Sequence, residues 1–143
     1  MDDWQRQEWV DFMLDECETW AVIGLRDPRR TAYSIAELLQ RKGKRIVPIH
    51  PLCHPLAEPV LGEPGYAALA DVPFPVDVVD VFRRSSAAGE FADQAVAVGA
   101  QGVWFQLGVV DEDAFRRTVA AGTPMVMDVC PSQQWFYRER RGA

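Results

Sequence analysis

Three arginines, Arg26, Arg29 and Arg30, stand on one short stretch just after an apolar run that ends in glycine, Trp20 to Gly24. A guanidinium offers planar, charge-assisted hydrogen bonds that suit phosphate oxygens. A glycine at the end of such a run permits a tight turn and a close backbone approach to a ligand. The amphipathic segment that follows would add unpaired N–H groups and the positive end of a helix dipole. Strand, glycine turn, basic loop and helix in that order make a site for a phosphorylated ligand. The competing reading of this stretch alone is an ordinary strand-to-helix turn with solvated charges. Two further basic clusters, Arg83/Arg84 and Arg138/Arg140/Arg141, are set against a net charge of −6. That balance argues against nonspecific binding to nucleic acid or to an acidic membrane and for a local anion site.

Other reactive residue types are less telling. His50, Cys53 and His54 in the run HPLCHP are metal-ligand types. The intervening prolines stiffen that loop and supply no fourth donor, so His50 is expected as a polar residue at the edge of a site. Cys130 would lie at the same mouth, where a thiol could exchange with a disulfide, although a small residue closing a strand is the simpler expectation. Asp77 and Asp80 fall on opposite faces of a strand, which leaves Asp80 to satisfy a hydrogen bond near the strand end. Ser85, Ser86 and Ser132 have no assignable histidine and carboxylate partners. Nothing in these residues specifies a bond-making reaction, so catalysis is not expected and no catalytic or metal residue is assigned.

The elements that must position these groups follow from periodicity. Asp3 to Cys17 predicts an amphipathic helix within an N-terminal segment 1–17, with Trp9, Phe12, Met13 and Cys17 recurring at helical spacing. Trp20 to Ile23 is a first strand. Thr31 is expected to cap a helix carrying Ile35, Leu38 and Leu39 on one face and stopping at Gly43. Arg45 to Ile49 gives a second strand. His50 to Gly65, with Pro51, Pro55, Pro59 and Pro64, is a long irregular connection of the kind that tends to be functional. Tyr66 to Ala70 predicts a short helix. Val76 to Phe82, rich in β-branched residues, predicts a buried parallel strand. Ser85 or Ser86 would cap a helix towards Val98. Gly102 to Leu107 and Met125 to Val129 are further strands, separated by a helix over Asp111 to Ala121. Residues 131–143 form a tail with Trp135, Phe136 and Tyr137. Strands alternating with helices imply one α/β domain over 1–143, a parallel sheet with helices on both faces. Ligands in such sheets lie beyond the carboxyl ends of the strands. Five stretches should therefore converge: Gly24 to Arg30, His50/Pro51, Arg83/Arg84, Gln106 to Gly108, and Cys130 to Ser132.

The 143 residues suffice for a proper core. Three irregularly spaced cysteines do not form a disulfide framework and fit a reducing compartment. The polar, acidic start MDDWQRQEW is unlike a targeting peptide, and no apolar run reaches a bilayer-spanning length. A cytoplasmic setting is the expectation.

The common nucleotide signatures are absent. No second or third glycine follows Gly24 at dinucleotide spacing, and His50 and Pro51 stand where an NAD site expects an acidic residue. The blocks AVIGLRDPRR, IVPIHP, VLGEPGYAALADVPFPVDVVDVFRR, GAQGVWFQLGV and VMDVC, in this order over Thr19 to Cys130, resemble those of the small bacterial CoA-binding domain proteins. These proteins are relatives of the CoA-binding domain of the succinyl-CoA synthetase alpha subunit. The resemblance implies a Rossmann-like three-layer α/β fold with a five-stranded parallel sheet and coenzyme A across the strand ends. By position it implies that Gly24, Leu25, Arg26, Asp27, Pro28 and Arg30 hold the phosphates. His50 and Pro51 would flank the adenosine end, Phe82, Arg83 and Arg84 would line the site after the third strand, and Gln106 and Gly108 would face the pantetheine path. The chain departs from the family at Arg26, where a small hydroxyl residue is frequent nearby, and at His50, where asparagine is common. The implied function is non-catalytic binding of CoA or an acyl-CoA by a carrier, sensor or accessory protein. The rivals are an NAD or adenine-nucleotide redox sensor, an interaction module that has lost its ligand, and, last, thioester chemistry through Cys130. The aromatic tail suggests a homodimer contact or an unknown protein partner.

Overall fold

The computed structural model describes residues 3–142; Met1, Asp2 and Ala143, part of the expected 1–143 domain, lie outside the described residues. Five strands, β1 (Thr19–Ile23), β2 (Arg45–Ile49), β3 (Val78–Val81), β4 (Gly102–Phe105) and β5 (Met125–Val126), form one sheet. All pair in parallel in the order β2-β1-β3-β4-β5. The chain moves outward from β1 to β2 and then crosses back to β3. The boundary between β1 and β3 is therefore the switch point, where the carboxyl edge opens a crevice. The helices are α1 (Gln7–Glu16), α2 (Thr31–Arg41), α3 (Ser85–Ala97), α4 (Glu112–Ala120) and α5 (Pro131–Gly142).

Strand alternation divides the core in two. Trp20, Val22, Val78 and Trp104 pack with Val10 and Met13 of α1 and Ile35 and Leu39 of α2. Ala21, Ile23, Val79 and Phe105 pack on the other face with Ala88 and Ala92 of α3 and Ala114 of α4. This is the Rossmann-like three-layer α/β arrangement, and covering both faces is why the strands read as continuous apolar runs. The Trp20 and Trp104 rings lie 5.5 Å apart, and their indole N–H groups donate to the carbonyls of Cys17 and Val129. Pro48 sits in β2, an edge strand, where a missing N–H costs no ladder bond.

Several local expectations give way to tertiary context. The N-terminal helix is broken: a 3-10 turn over Asp3–Gln5 precedes α1. That turn lets the Trp4 carbonyl accept from the Met127 N–H, which ends β5 two residues in rather than at Val129. β3 and β4 are likewise shorter than Val76–Phe82 and Gly102–Leu107, although the Phe82 and Gln106 N–H groups still donate to the carbonyls of Ile23 and Val81 at the rim. Tyr66 pairs in extended form with Pro48 and His50, and the short helix expected there is instead a 3-10 turn at Leu69–Asp71. Thr31 and Ser85 are first helical residues rather than caps; Arg30 and Arg84 hold the cap positions. The C-terminal tail is helical. Its Arg138 pairs with Asp11 and Asp15 of α1, the latter at 2.6 Å, so this basic cluster ties two helices together.

Candidate functional site

A cleft of about 690 Å³ opens at the carboxyl edge over the switch point. All five stretches expected to converge contribute to its wall, through Gly24, Arg26, His50, Arg83, Gln106 and Cys130 among others. Gly24 makes the approach possible. Its φ of +94° is left-handed, and a Cβ there would stand 2.9 Å from the Phe82 carbonyl oxygen. Its N–H donates to the Ile49 carbonyl at 2.8 Å, which turns the chain across three strand ends at once.

The basic loop is divided in its duties. Arg29 donates through its backbone N–H, Nε and Nη2 to the Asp27 carboxylate, and this holds the Asp27 pKa down at about 2. Asp27 and Arg29 thus brace the loop. Arg26, Arg30 and Arg83 form no ion pair among the described residues and line the cleft. Arg83 lies over the Phe91 ring at 5.7 Å. Between these cations α2 begins. Its cap residue, Arg30, makes no side-chain bond, its first turn holds no acidic residue, and Thr31 and Ala32 face the cleft. In this uncapped first turn the Tyr33 N–H donates back to the Arg30 carbonyl, while the Thr31 and Ala32 N–H groups have no partner among the described residues, a start that favours an anion.

His50 enters at the end of β2. Its Nδ1 accepts from the Leu52 N–H at 3.1 Å, so the neutral ring carries its proton on Nε2. Burial, then the neighbouring charges of Arg26 and Arg83, hold its pKa below the usual histidine value. His54 repeats the arrangement, its Nδ1 accepting from Leu56 N–H at 3.1 Å. At the end of β4, Gln106 lines the wall and donates through Nε2 to Oδ1 of Asp80. This is the bond expected of Asp80. The carboxyl is wholly buried, which pushes its pKa up to about 8, and Oδ2 has no partner among the described residues.

Among the remaining candidates, Phe82 is half-buried in the wall, whereas the Leu25 side chain is fully buried in the core. Pro28 lines an adjoining hollow of about 450 Å³, which shares Arg26, Asp27 and Leu52 with the cleft. Pro51 and Arg84 are exposed and stand off the wall. Gly108 is held by two other segments: its N–H donates to Asp128 Oδ1 at 2.6 Å, and its carbonyl accepts from the Ser85 hydroxyl. Leu107 comes with the expected stretch Gln106 to Gly108, and the structure adds Thr31, Ala32, Ile35, Leu52 and Val109 to the wall. Thr31 and Ala32 were signalled by the helix start and Leu52 only by its place in the long proline-rich connection; Ile35 and Val109 had no local signal.

The 2-1-3-4-5 parallel sheet and the open, cationic cleft over its switch point define a Rossmann-like α/β domain. The CoA-binding domain family matches residues 18–134, and the chain belongs to that family. It is 31% identical over 119 residues to the uncharacterized protein YneT of Bacillus subtilis, spanning 82% of this chain and 85% of that one. A solved structure from Thermus thermophilus shares 32% identity with a TM-score of 0.76 over 91% of this chain and 93% of its own. A hypothetical protein from Pyrococcus horikoshii shares 28% identity with a TM-score of 0.79, over 90% and 88%. Among the described residues no helix is long and apolar enough to cross a membrane.

Proposed function

We propose that this protein binds coenzyme A or an acyl-CoA in the cleft and acts as a non-catalytic carrier, sensor or accessory protein in the cytoplasm. One observation carries the reading: the uncapped start of α2 lies between Arg26, Arg30 and Arg83 on the cleft wall. In this reading the phosphates sit over the switch point, receiving the α2 N–H groups and the three guanidinium groups. The backbone of Gly24 and Leu25 and the braced Asp27–Pro28 turn shape that seat. His50, with Pro51 behind it, donates from Nε2 at the adenosine end. Phe82, Ile35, Leu107 and Val109 give the arm an apolar track. Arg84 and Gly108 act at one remove, as the cap of α3 and as part of the loop that presents Leu107 and Val109. Besides His50 and Cys130, the wall offers cations, an amide and apolar surface, groups that hold a ligand.

Thermal unfolding with saturating CoA, acetyl-CoA, NAD and ADP in parallel tests the reading. A ligand at about 100 times its dissociation constant adds about 2.7 kcal/mol, a rise of several degrees in a domain of this size. A shift with the CoA species alone is expected. Equal shifts with NAD or ADP would replace CoA by a general nucleotide, and no shift with any ligand would favour an interaction module. The exposed Phe136 and Tyr137 of α5 support a homodimer contact, weak or stable, as well. A monomer mass by light scattering at high concentration would overturn that part.

A further inference from the structure

Asp80 is the one acidic residue in the β-strands. Alternation places its side chain on the α2 face of the sheet, with Val22 and Trp104 as its register partners on either side. Phe82, two residues further along the same face, lines the cleft, as do Ala32 and Ile35 of α2. Asp80 therefore lies one layer below the cleft floor. A carboxyl with no counter-charge is stable at such depth only in its neutral form. It is bonded to Gln106, whose Nε2 donates down to Oδ1. Asp80 Oδ2 and Thr118 Oγ1 are the fully buried side-chain oxygens that lack a partner among the described residues. The Gln106 Oε1 atom is not one of them and accepts from no group among the described residues, so this oxygen is exposed where Gln106 lines the cleft.

The sheet order lays the wall out as a sequence of chemistries. His50 stands at the end of β2, Arg26 and Arg30 after β1, and Arg83 after β3. The next strand, β4, ends in Gln106, a neutral amide between apolar neighbours. A ligand fixed by its phosphates at the switch point and extending along the edge meets the cations first and this acceptor afterwards. The pantetheine arm of CoA carries two secondary amides, each with one N–H to place.

We propose that Asp80 is a positioning residue: by accepting from Gln106 Nε2, it aims the Gln106 carbonyl oxygen into the cleft as the acceptor for an amide N–H of the ligand's arm. This rests on the CoA reading above and assigns the arm's recognition to a pair of side chains, one of which never touches the ligand. Asparagine at position 80 keeps a neutral acceptor of the same shape, whereas leucine removes it.

The test is calorimetric titration of the wild type, Gln106→Leu, Asp80→Asn and Asp80→Leu with CoA and with adenosine 3′,5′-bisphosphate, which lacks the arm. A neutral hydrogen bond is worth about 1 kcal/mol, close to fivefold in affinity. Gln106→Leu and Asp80→Leu should each weaken CoA about five- to tenfold and leave the bisphosphate unchanged. Asp80→Asn should bind CoA as the wild type does. Equal losses for both ligands would reduce Asp80 to a general structural part and overturn the proposal, as would full CoA affinity in the leucine variants. A wild type that binds the bisphosphate and CoA equally well overturns the arm contact alone. One that binds neither overturns the CoA reading beneath it. Bisphosphate binding also reports that each variant is folded.

Discussion

Asp77 and Asp80 belong to the same short segment of chain, three residues apart, and the sheet's two edges treat them differently. At the amino edge the Asp77 carboxylate accepts from the N–H groups of Glu18 and Thr19 and from Gln101 Nε2, and the Asp77 carbonyl accepts from Gln101 and Gly102. Nearby, Lys44 closes the end of α1 by donating from Nζ to the carbonyls of Leu14 and Cys17. Burial pushes the Cys17 thiol there up to about 11, so it stays protonated and inert. Towards the carboxyl edge, among the described residues, Asp80 is left with an unpartnered oxygen, α2 starts without a side-chain cap, and three arginines stand free of ion pairs around an open cleft. At the amino edge, Asp77 and Lys44 satisfy the polar groups around them. The carboxyl edge leaves its groups available, and that division of labour is what a binding domain on a parallel sheet requires.

The sharpest way to break this contrast is through Asp80 and pH. Its folded pKa of about 8 lies above the unfolded value near 4. Between those values the folded state holds a proton that the unfolded state has lost. Stability from this group is therefore full below about pH 4 and falls as pH rises to about 8, by at most about 1.4 kcal/mol per unit. Asp80→Asn should remove the fall. Denaturant unfolding at several pH values should show the variant gaining on the wild type by a few kcal/mol at pH 8. Parallel curves would mean that Asp80 is ionised in the folded protein.

The free arginines come next. Hydrogen bonds to charged groups contribute about 1.5–3 kcal/mol, so Arg30→Ala and Arg83→Ala should each weaken CoA binding roughly 10- to 100-fold. Added salt should weaken wild-type binding in the same sense. Because neither side chain is in an ion pair, their thermal midpoints without ligand should barely move. A large loss of stability with unchanged affinity would transfer these residues to the structural side of the comparison.

The sequence made some of this legible and hid the rest, and the difference has a physical cause. Residues acting through local backbone geometry were readable: Gly24, the arginine loop and the alternation that separates Asp77 from Asp80. The strand ends were not, because β5 stops where the Met127 N–H turns to Trp4, a partner 123 residues away in sequence. The same holds for Thr31 and Ser85, whose composition suggested caps. The Ser85 hydroxyl instead accepts from the Val110 N–H and reaches Gly108, closing the loop after β4. Arg29 looked like a ligand group, yet Asp27 two residues earlier claims it. Helix α5 is polar on most of its surface, and its hold on α1 through Arg138 is a long-range ion-pair contact that no local pattern announces.

A smaller effect is expected at the amino edge. Asp77→Ala would strand the Thr19 N–H, which is partly buried, along with the exposed Glu18 N–H and the Gln101 amide. A loss of about 1–3 kcal/mol in unfolding free energy follows from leaving such donors without partners. CoA affinity should stay at the wild-type value, since Asp77 lies across the sheet from the cleft. An affinity change above about threefold, roughly 0.6 kcal/mol, would show that the two edges are coupled.

The mildest test compares two helix starts on the same rim. Helix α4 begins after β4 with Asp111 as its cap; the carboxylate accepts from the Ala114 N–H at 3.0 Å, and Glu112 and Asp113 add negative charge to the first turn. Helix α2 has neither feature. The α4 start is thus closed by its own sequence, and any anion approaching it meets three carboxylates, while the α2 start is left to a ligand. Asp111→Ala should cost about 1 kcal/mol of stability, the usual value of a lost cap, with CoA affinity unchanged. The converse change, Arg30→Asp, would supply α2 with the cap it lacks. It should raise the stability of the ligand-free protein by up to about 1 kcal/mol while weakening CoA at least as much as Arg30→Ala does. If Arg30→Asp left CoA binding intact, the first turn of α2 would be no anion site, and the distinction between the two helix starts would concern stability alone.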